Sequence, residues 1–436
     1  MMESFVINGG VPLFGEVEIR GSKNAAPKLM LASLLTSEPC VIKNVPLSLE
    51  LDIARELCER IGSKVEIDTH TRECRMTTSA ISNSRVLELS RKNRLPILAF
   101  GPLLHRTGIA EIPVLEGCPI GHRPINLHLK ALKKMGVFIQ RRAQSYYASA
   151  KEIIGADIHL AYPSVGATEN ILLTAVLAKG KTSITNAAIE PEIINVISMV
   201  NAMGAKVSYD IASRTIKIQG VKTLHGVNVV SMPDRNEIIA FASAALATKG
   251  DILIRDINAD HIEIFLAKVS QIGGSFEITP KGIRFWGKGA YQSTAITTAP
   301  HPGFMTDWQQ PFCVVLIKAH GGSTIHETVY EDRLGYIKDL ARMGANIEVT
   351  DECIGERCRF FGKHYEHSAV INRIATLKGT DMTMSDIRAG TAQIIASLCA
   401  KGTSTIREIH HIQRGYENFD GRLKMLGARI KRISNF

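Results

Sequence analysis

The sequence predicts an α/β protein of the α+β kind, two lobes of three repeated βαβαββ units each, with mixed sheets outside and buried helices inside. Three observations carry this. A short phrase (apolar, Gly, small, any, apolar) recurs six times, at Ile61-Gly62-Ser63, Met135-Gly136-Val137, Met203-Gly204-Ala205, Ile272-Gly273-Gly274, Met343-Gly344-Ala345 and Leu426-Gly427-Ala428. Recurrence at near-constant spacing is the signature of a repeated structural unit. Each phrase follows an amphipathic segment, and each segment is preceded by a Gly-Ser/Thr-apolar strand phrase. Before that strand phrase lies a second helix pattern that is apolar nearly all round.

Each element follows from local chemistry. The amphipathic segments are 51–60, 127–134, 193–202, 262–271, 333–342 and 418–425. A glycine closing such a segment reads as a helix C-cap, because it enters the left-handed region without a Cβ penalty. The alternation that follows, as in Ala345-Asn346-Ile347-Glu348-Val349, reads as a half-buried strand. The strand phrases are clearest at Lys179-Gly180-Lys181-Thr182-Ser183-Ile184 and Lys401-Gly402-Thr403-Ser404-Thr405-Ile406, with looser copies near Gly250 and Gly321. Segments 170–178, 237–247, 312–317 and 391–400 lack a polar face, so they must be covered on all sides. Strand pairs lie too close in sequence for parallel crossovers throughout, which disfavours one doubly wound sheet. The lobe boundary is expected at 230–234, giving an N-terminal lobe of 23–232 and a C-terminal lobe of 233–436.

Composition narrows the function classes. The 436 residues carry 52 Lys+Arg against 42 Asp+Glu, a net charge of +10, which favours an anionic partner. Aromatics are 6% and no Lys/Arg-rich run occurs, which argues against nucleic acid. The start lacks a basic region followed by an apolar core, and no stretch approaches a spanning length, so a cytoplasmic protein without a membrane partner is expected. Eight cysteines are scattered without a framework, as in a reducing compartment. Cys353 and Cys358 have metal-ligand spacing, but no second pair matches them, and they read as ordinary cysteines. Gly180-Lys181-Thr182 is not a P-loop, since the required earlier glycine is Ala175. Gly287-x-Gly289 lacks its third glycine, no His-Glu-x-x-His occurs, and His410-His411 reads as a surface or strand pair.

The chemistry-bearing residues gather where the buried helices begin: Lys23-Asn24, Arg91-Lys92-Asn93-Arg94, Ser164 to Thr168, Asp234-Arg235, Thr306-Asp307 and Asp386-Ile387-Arg388. Helix N-termini present unbonded N–H groups and partial positive charge, so with Lys23, Arg94 and Arg388 they suit phosphate and carboxylate. In a two-lobed protein these starts can face one shared cleft; the alternative is capping and surface charge. The loop Glu116-Gly117-Cys118-Pro119-Ile120-Gly121-His122-Arg123-Pro124 combines two glycines with a thiol and nearby cations, which suits a reactive cysteine. Asp307 ends a second loop, as a plain N-cap or as a general base. Arg414, in Ile412-Gln413-Arg414-Gly415-Tyr416-Glu417, marks a third.

Taken in order along the chain, these motifs resemble the enolpyruvyl transferases, and among them those acting on UDP-N-acetylglucosamine. The resemblance rests on Gly21-Ser22-Lys23-Asn24-Ala25-Ala26, Gly117-Cys118-x-Ile120-Gly121-x-Arg123-Pro124 and Ser164-Val165-Gly166-Ala167-Thr168-Glu169-Asn170. It also rests on Ala299-Pro300-His301-Pro302-Gly303-Phe304-x-Thr306-Asp307, Asp386-x-Arg388-Ala389-Gly390 and Arg414-Gly415-Tyr416. It implies two inside-out lobes, with residues 1–22 joining the C-terminal one. It implies enolpyruvyl transfer from phosphoenolpyruvate to the sugar 3-hydroxyl, the first committed step of peptidoglycan synthesis, with small-molecule substrates and neither metal nor organic cofactor. Cys118 becomes the general acid and the target of fosfomycin, and Asp307 the base. Lys23, Arg123 and Arg414 hold phosphoenolpyruvate, while Asn24, Arg94, Ser164, Gly166, Asp307 and Ile325 surround the nucleotide sugar; Pro124, Thr306 and Arg388 fall within the same motifs. The chain departs from the pattern at Glu116, Pro119, His122, Met305, Trp308, Leu95-Pro96 and Tyr162, several of them beside the acceptor positions. The alternative is a paralogue with a different sugar nucleotide or alcohol as acceptor.

Overall fold

All six recurrent glycines take positive φ, between 72° and 121°. They stop the helices Leu49–Ile61, Asn126–Lys134, Pro191–Ala202, Glu263–Gln271, Ile337–Arg342 and Phe419–Met425. The residue after each glycine donates its amide back into the last helical turn, as Val137 to the Leu132 carbonyl at 3.1 Å and Gly274 to Val269 at 2.8 Å. One backbone device thus ends six helices, and a strand begins one or two residues later each time, from Lys64–Asp68 to Arg429–Asn435.

A computed structural model describes residues 2–91, 93–115 and 120–435. It divides into two compact lobes: a C-terminal one of Met1–Arg20, Cys118–His122 and Pro233–Phe436, and an N-terminal one of Gly21–Gly117 and Arg123–Met232.

In the C-terminal lobe three helices, Arg235–Thr248, Gln309–Leu316 and Ile387–Cys399, pack on one another. The first two are buried along their whole length. Three four-stranded sheets surround them. In each sheet an antiparallel run of three strands takes a parallel strand at one edge, for example Phe14–Glu18 beside Asp251–Arg255. Strand Met2–Asn8 runs between Thr403–Arg407 and Arg429–Asn435, antiparallel to both. In the N-terminal lobe the buried helices are Ala26–Ser33, Phe100–Thr107 and Val165–Ala175, with a 3₁₀ turn Leu95–Ala99 leading into the second. Two of its sheets have four strands and the third, holding Ile109–Pro113, has three. Helices inside mixed sheets are the arrangement that all-round apolar helices require.

Two local readings are corrected. Segment 333–342 is helical only from Ile337, and Arg333 lies ahead of it, buried. Of the two readings of His410-His411, the strand is overturned, since they open a short helix, His410–Gln413, while His410 is exposed as a surface residue. Among the described residues no helix is long and apolar enough to cross a membrane.

Candidate active site

Of the six polar helix starts, three carry true side-chain caps. Ser164 accepts from the Ala167 amide at 3.3 Å, Asp234 from Asn236 at 2.8 Å, and Asp386 from Arg388 at 2.8 Å and Ala389 at 3.2 Å. Asp307 does not cap its helix: Trp308 occupies that position and makes no cap bond.

The Asp307 carboxylate is instead gripped by two guanidiniums. One oxygen pairs with Arg333, the other with Arg388 Nη2 at 3.1 Å. Arg333 also faces Asp386 at 3.6 Å, and Arg388 donates through Nη1 to the Tyr416 hydroxyl at 2.8 Å. The arginine side chains are 3% and 6% exposed, that of Asp307 21%, so the carboxylate is the solvent-facing member of a buried chain of charge. Burial opposes charge on Arg388, but Tyr416, Asp307 and Asp234 more than offset it, and its pKa lies above the usual arginine value. Arg333 behaves alike: burial opposes its charge, and Asp307, Asp386 and Glu327 raise it. Both cations are therefore permanent.

Beside this chain, Thr306 donates to Glu327 Oε2 at 2.8 Å, and Gln309 to the same oxygen at 3.4 Å. Burial pushes the Glu327 carboxyl up, against hydrogen bonds from Thr306 and the Val329 amide. Ile325, on strand Ser323–His326, buries its side chain in the core, so only its backbone can meet a ligand. Arg414 follows the short helix and is half-buried. The stretch 120–122 is anchored here too. Gly121 has φ of 124° and lies so close to Glu331 that no Cβ fits, and Asp332 donates to the Ile120 carbonyl at 3.3 Å. Cys118, with Glu116 and Pro119, falls outside the described residues.

In the N-terminal lobe Lys23 and Asn24 form the turn before Ala26–Ser33, both half-buried. Arg94 precedes the Leu95–Ala99 turn. Ser164 and Gly166 open the Val165–Ala175 helix, and Gly166 faces the His128 ring, where a Cβ would come within 3.2 Å of Cε1. Asn170 Nδ2 lies 3.2 Å from His128 Nδ1. Burial, then the charge of Arg94, pushes the His128 pKa down to about 3, so the ring is neutral. Gly166, Arg94, His128 and Asn170 thus share one corner of this lobe. Arg123 is half-buried and Pro124 exposed.

Reading by motif missed Arg333, Glu327 and His128. Nothing in the sequence separates Arg333 from a surface arginine on an amphipathic helix. Trp308, counted among departures near the acceptor, is a core residue: it is fully buried, packs edge-on against Phe304 and Phe265, and donates to Asn236 Oδ1 at 3.1 Å. Leu95 is likewise buried.

Comparison with known proteins places the chain. A family model described as EPSP synthase (3-phosphoshikimate 1-carboxyvinyltransferase) matches residues 7–423. The UDP-N-acetylglucosamine 1-carboxyvinyltransferase of Protochlamydia amoebophila is 41% identical over 441 residues, covering 99% of this chain and 95% of the relative. That of Chlamydia pneumoniae is 40% identical, covering 96% and 93%. Among solved structures, the enolpyruvyl transferase NikO from Streptomyces tendae matches with a TM-score of 0.87 at 20% identity, both chains covered in full. An EPSP synthase from Acinetobacter baumannii matches at 0.71 and 15%, again over both full chains, so the fold is shared.

Proposed function

This chain belongs to the EPSP synthase family and is an enolpyruvyl transferase, and from that premise we propose that it transfers the enolpyruvyl group of phosphoenolpyruvate to the 3-hydroxyl of UDP-N-acetylglucosamine. The observation that carries the reading is the Asp307 carboxylate fixed by Arg333 and Arg388 at the start of two buried helices. Full-length relatives bearing that activity in their names support the choice of acceptor.

The reaction asks for the residue types this chain holds. Phosphoenolpyruvate brings a phosphate and a carboxylate, so Lys23, Arg123 and Arg414 are assigned to it as charge-assisted donors. Cys118 delivers a proton to C3, and C2 becomes electrophilic. The acceptor hydroxyl attacks C2 and gives its proton to Asp307, forming one C–O bond. A proton returns from C3 to the Cys118 thiolate, restoring the double bond as the C2–O bond to phosphate breaks, and the proton held on Asp307 leaves with the phosphate. Hydroxyl and phosphoenolpyruvate become enol ether and inorganic phosphate, with nothing oxidised or reduced.

The arginines hold the carboxylate in one orientation, which general-base geometry requires. Asn24, Arg94, Ser164, Gly166, Thr306 and the Ile325 backbone are assigned to the nucleotide sugar, with Pro124 shaping the turn after Arg123. On this reading the protein works in the cytoplasm on a peptidoglycan precursor and is inhibited by fosfomycin at Cys118.

The test is phosphate release from phosphoenolpyruvate across a panel of alcohols and sugar nucleotides. Release with UDP-N-acetylglucosamine alone is expected. Release only with another acceptor would select a paralogue, and release with none would overturn the assignment.

A further inference from the structure

Strand Ser323–His326 pairs antiparallel with strand Ser368–Arg373, in a register that sets His326 opposite Ser368. His367 precedes that strand, so the two imidazoles become neighbours, their ring centroids 5.3 Å apart. The connection out of strand Asn346–Thr350 folds back over them and brings Cys353 and Cys358. Cys353 Sγ lies 3.5 Å from Cys358 Sγ and 3.4 Å from His367 Nε2. One ligand atom from each of the four residues lies within 4.8 Å of all the others.

We propose that His326, Cys353, Cys358 and His367 form a structural zinc site that ties the 351–367 loop to the end of strand Ser323–His326. A tetrahedral ion with bonds of about 2.3 Å to sulfur and about 2.0 Å to nitrogen has edges of roughly 3.8 Å between sulfurs and roughly 3.5 Å between sulfur and nitrogen. The observed 3.5 and 3.4 Å separations fit those edges. Two thiolates with two imidazoles are the donor set that selects zinc among divalent ions. The surroundings are arranged as metal sites require. His367 Nδ1 donates to the Tyr365 carbonyl at 2.6 Å, which leaves the Nε2 lone pair directed at Cys353. The Phe360 amide donates to Cys358 Sγ at 3.3 Å, which orients that sulfur. His326 is 2% exposed, and neither ring nitrogen has a hydrogen-bond partner among the described residues. A buried imidazole lacking both bonds is costly, and coordination of one nitrogen supplies the missing partner.

The position gives the site a purpose. Glu327, next to His326, holds Thr306 and Gln309. Arg359, within the same loop, donates to Glu331 at 3.0 Å, and Glu331 lies against Gly121. The ion would brace both the turn that carries Asp307 and the stretch that follows Cys118. It takes no part in the reaction, and the proposal stands whichever acceptor is used.

The test uses full-length protein purified without chelator, with bound metal measured by plasma mass spectrometry. About one zinc per chain is expected in the wild type, less than about a tenth in Cys353→Ser/Cys358→Ser, and an undiminished amount in Cys399→Ser. Cobalt(II) added to metal-stripped wild type should give the visible spectrum of a tetrahedral thiolate–imidazole site, which needs no variant to fold. Stripping should also lower Tm, with zinc restoring it. Folded wild type that takes up neither zinc nor cobalt overturns the proposal. So does zinc retained by a folded double variant, or a Cys353–Cys358 disulfide in the unreduced peptide map.

Discussion

Replacing Asp307 by Asn separates the catalytic from the structural work of this carboxylate, because the two losses have different sizes. Breaking a fully buried ion pair costs about 3–5 kcal/mol, since a charge is left without compensation. Here the cost is smaller. Asp307 is partly exposed, Arg333 keeps Asp386 at 3.6 Å, Arg388 keeps the Tyr416 hydroxyl, and Asn still offers one oxygen. A loss of about 1–3 kcal/mol is expected, lowering Tm by roughly 2–4 °C per kcal/mol for lobes of this size. Removing a general base costs about 10²–10⁴ in rate, or roughly 3–5 kcal/mol of barrier. The assay is phosphate release at saturating substrates well below both melting temperatures, beside thermal melts. Asp386→Asn is the control: Asn still caps the helix, but the change removes the carboxylate charge facing Arg333 at 3.6 Å, for about 1 kcal/mol, and leaves Asp307 in place, so kcat should hold within about tenfold. An Asp307→Asn enzyme turning over within about threefold of wild type would refute the base assignment. Equal kcat losses in both variants would show that the chain of charge matters only as scaffold.

Three further outcomes are expected. Gly101→Ala should lose about 1–3 kcal/mol in urea unfolding, because its Cβ would meet the Thr174 backbone at 2.9 Å where two buried helices touch; unchanged stability would mean the helices can separate. Cys118 should be the first cysteine alkylated and the site of the fosfomycin adduct by mass spectrometry. Burial pushes the Cys74, Cys313 and Cys399 thiols up to about 12, and an adduct on any of them would contradict the assignment. Stability against pH should show two opposed buried groups. Burial raises Glu169 to about 7, only partly countered by Lys28, so its folded form holds an extra proton and its contribution is lost as pH rises from about 4.5 to 7. His128, pushed down to about 3, contributes stability that is lost as pH falls from about 6.5 to 3. Glu169→Gln should therefore gain on wild type by up to about 3 kcal/mol across pH 4.5–7, and His128→Gln should gain on it as pH falls from 6.5; variant profiles parallel to wild type would contradict both.

What could be read in advance was local. A glycine after an amphipathic stretch has one good use, so six of them marked six helix ends, and their φ values agree. Helices without a polar face had to be covered, and Arg235–Thr248 is buried throughout. The positions of the polar motifs were also legible: Thr306 and Asp307 lie just ahead of Gln309–Leu316, and Asp386 caps Ile387–Cys399. Trp308 stands next to Asp307, the proposed base, yet it is a core residue. One residue further along a turn, the side chain faces the opposite way, into Phe304 and Phe265.

What stayed hidden depends on pairing between distant strands. Arg333 is polar in a segment that alternates like a surface helix, and only tertiary packing makes it the partner of Asp307. The cysteines at 353 and 358 pose the same problem more sharply. A search for a second close pair fails, because the other two donors are histidines 41 residues apart in sequence, at 326 and 367. They meet only because a register of antiparallel pairing sets His326 beside the start of the next strand. Shifting that register by one residue would turn His326 to the other face and disperse the four donors. A ligand set divided between a loop and two strand ends is therefore specified by sheet register, and ion occupancy would in turn hold that register. On this account His326→Ala should lower metal content and also loosen the 351–367 loop, read as faster amide exchange at Glu327 and His367. Unchanged exchange in a variant without metal would show that the strands hold the register unaided.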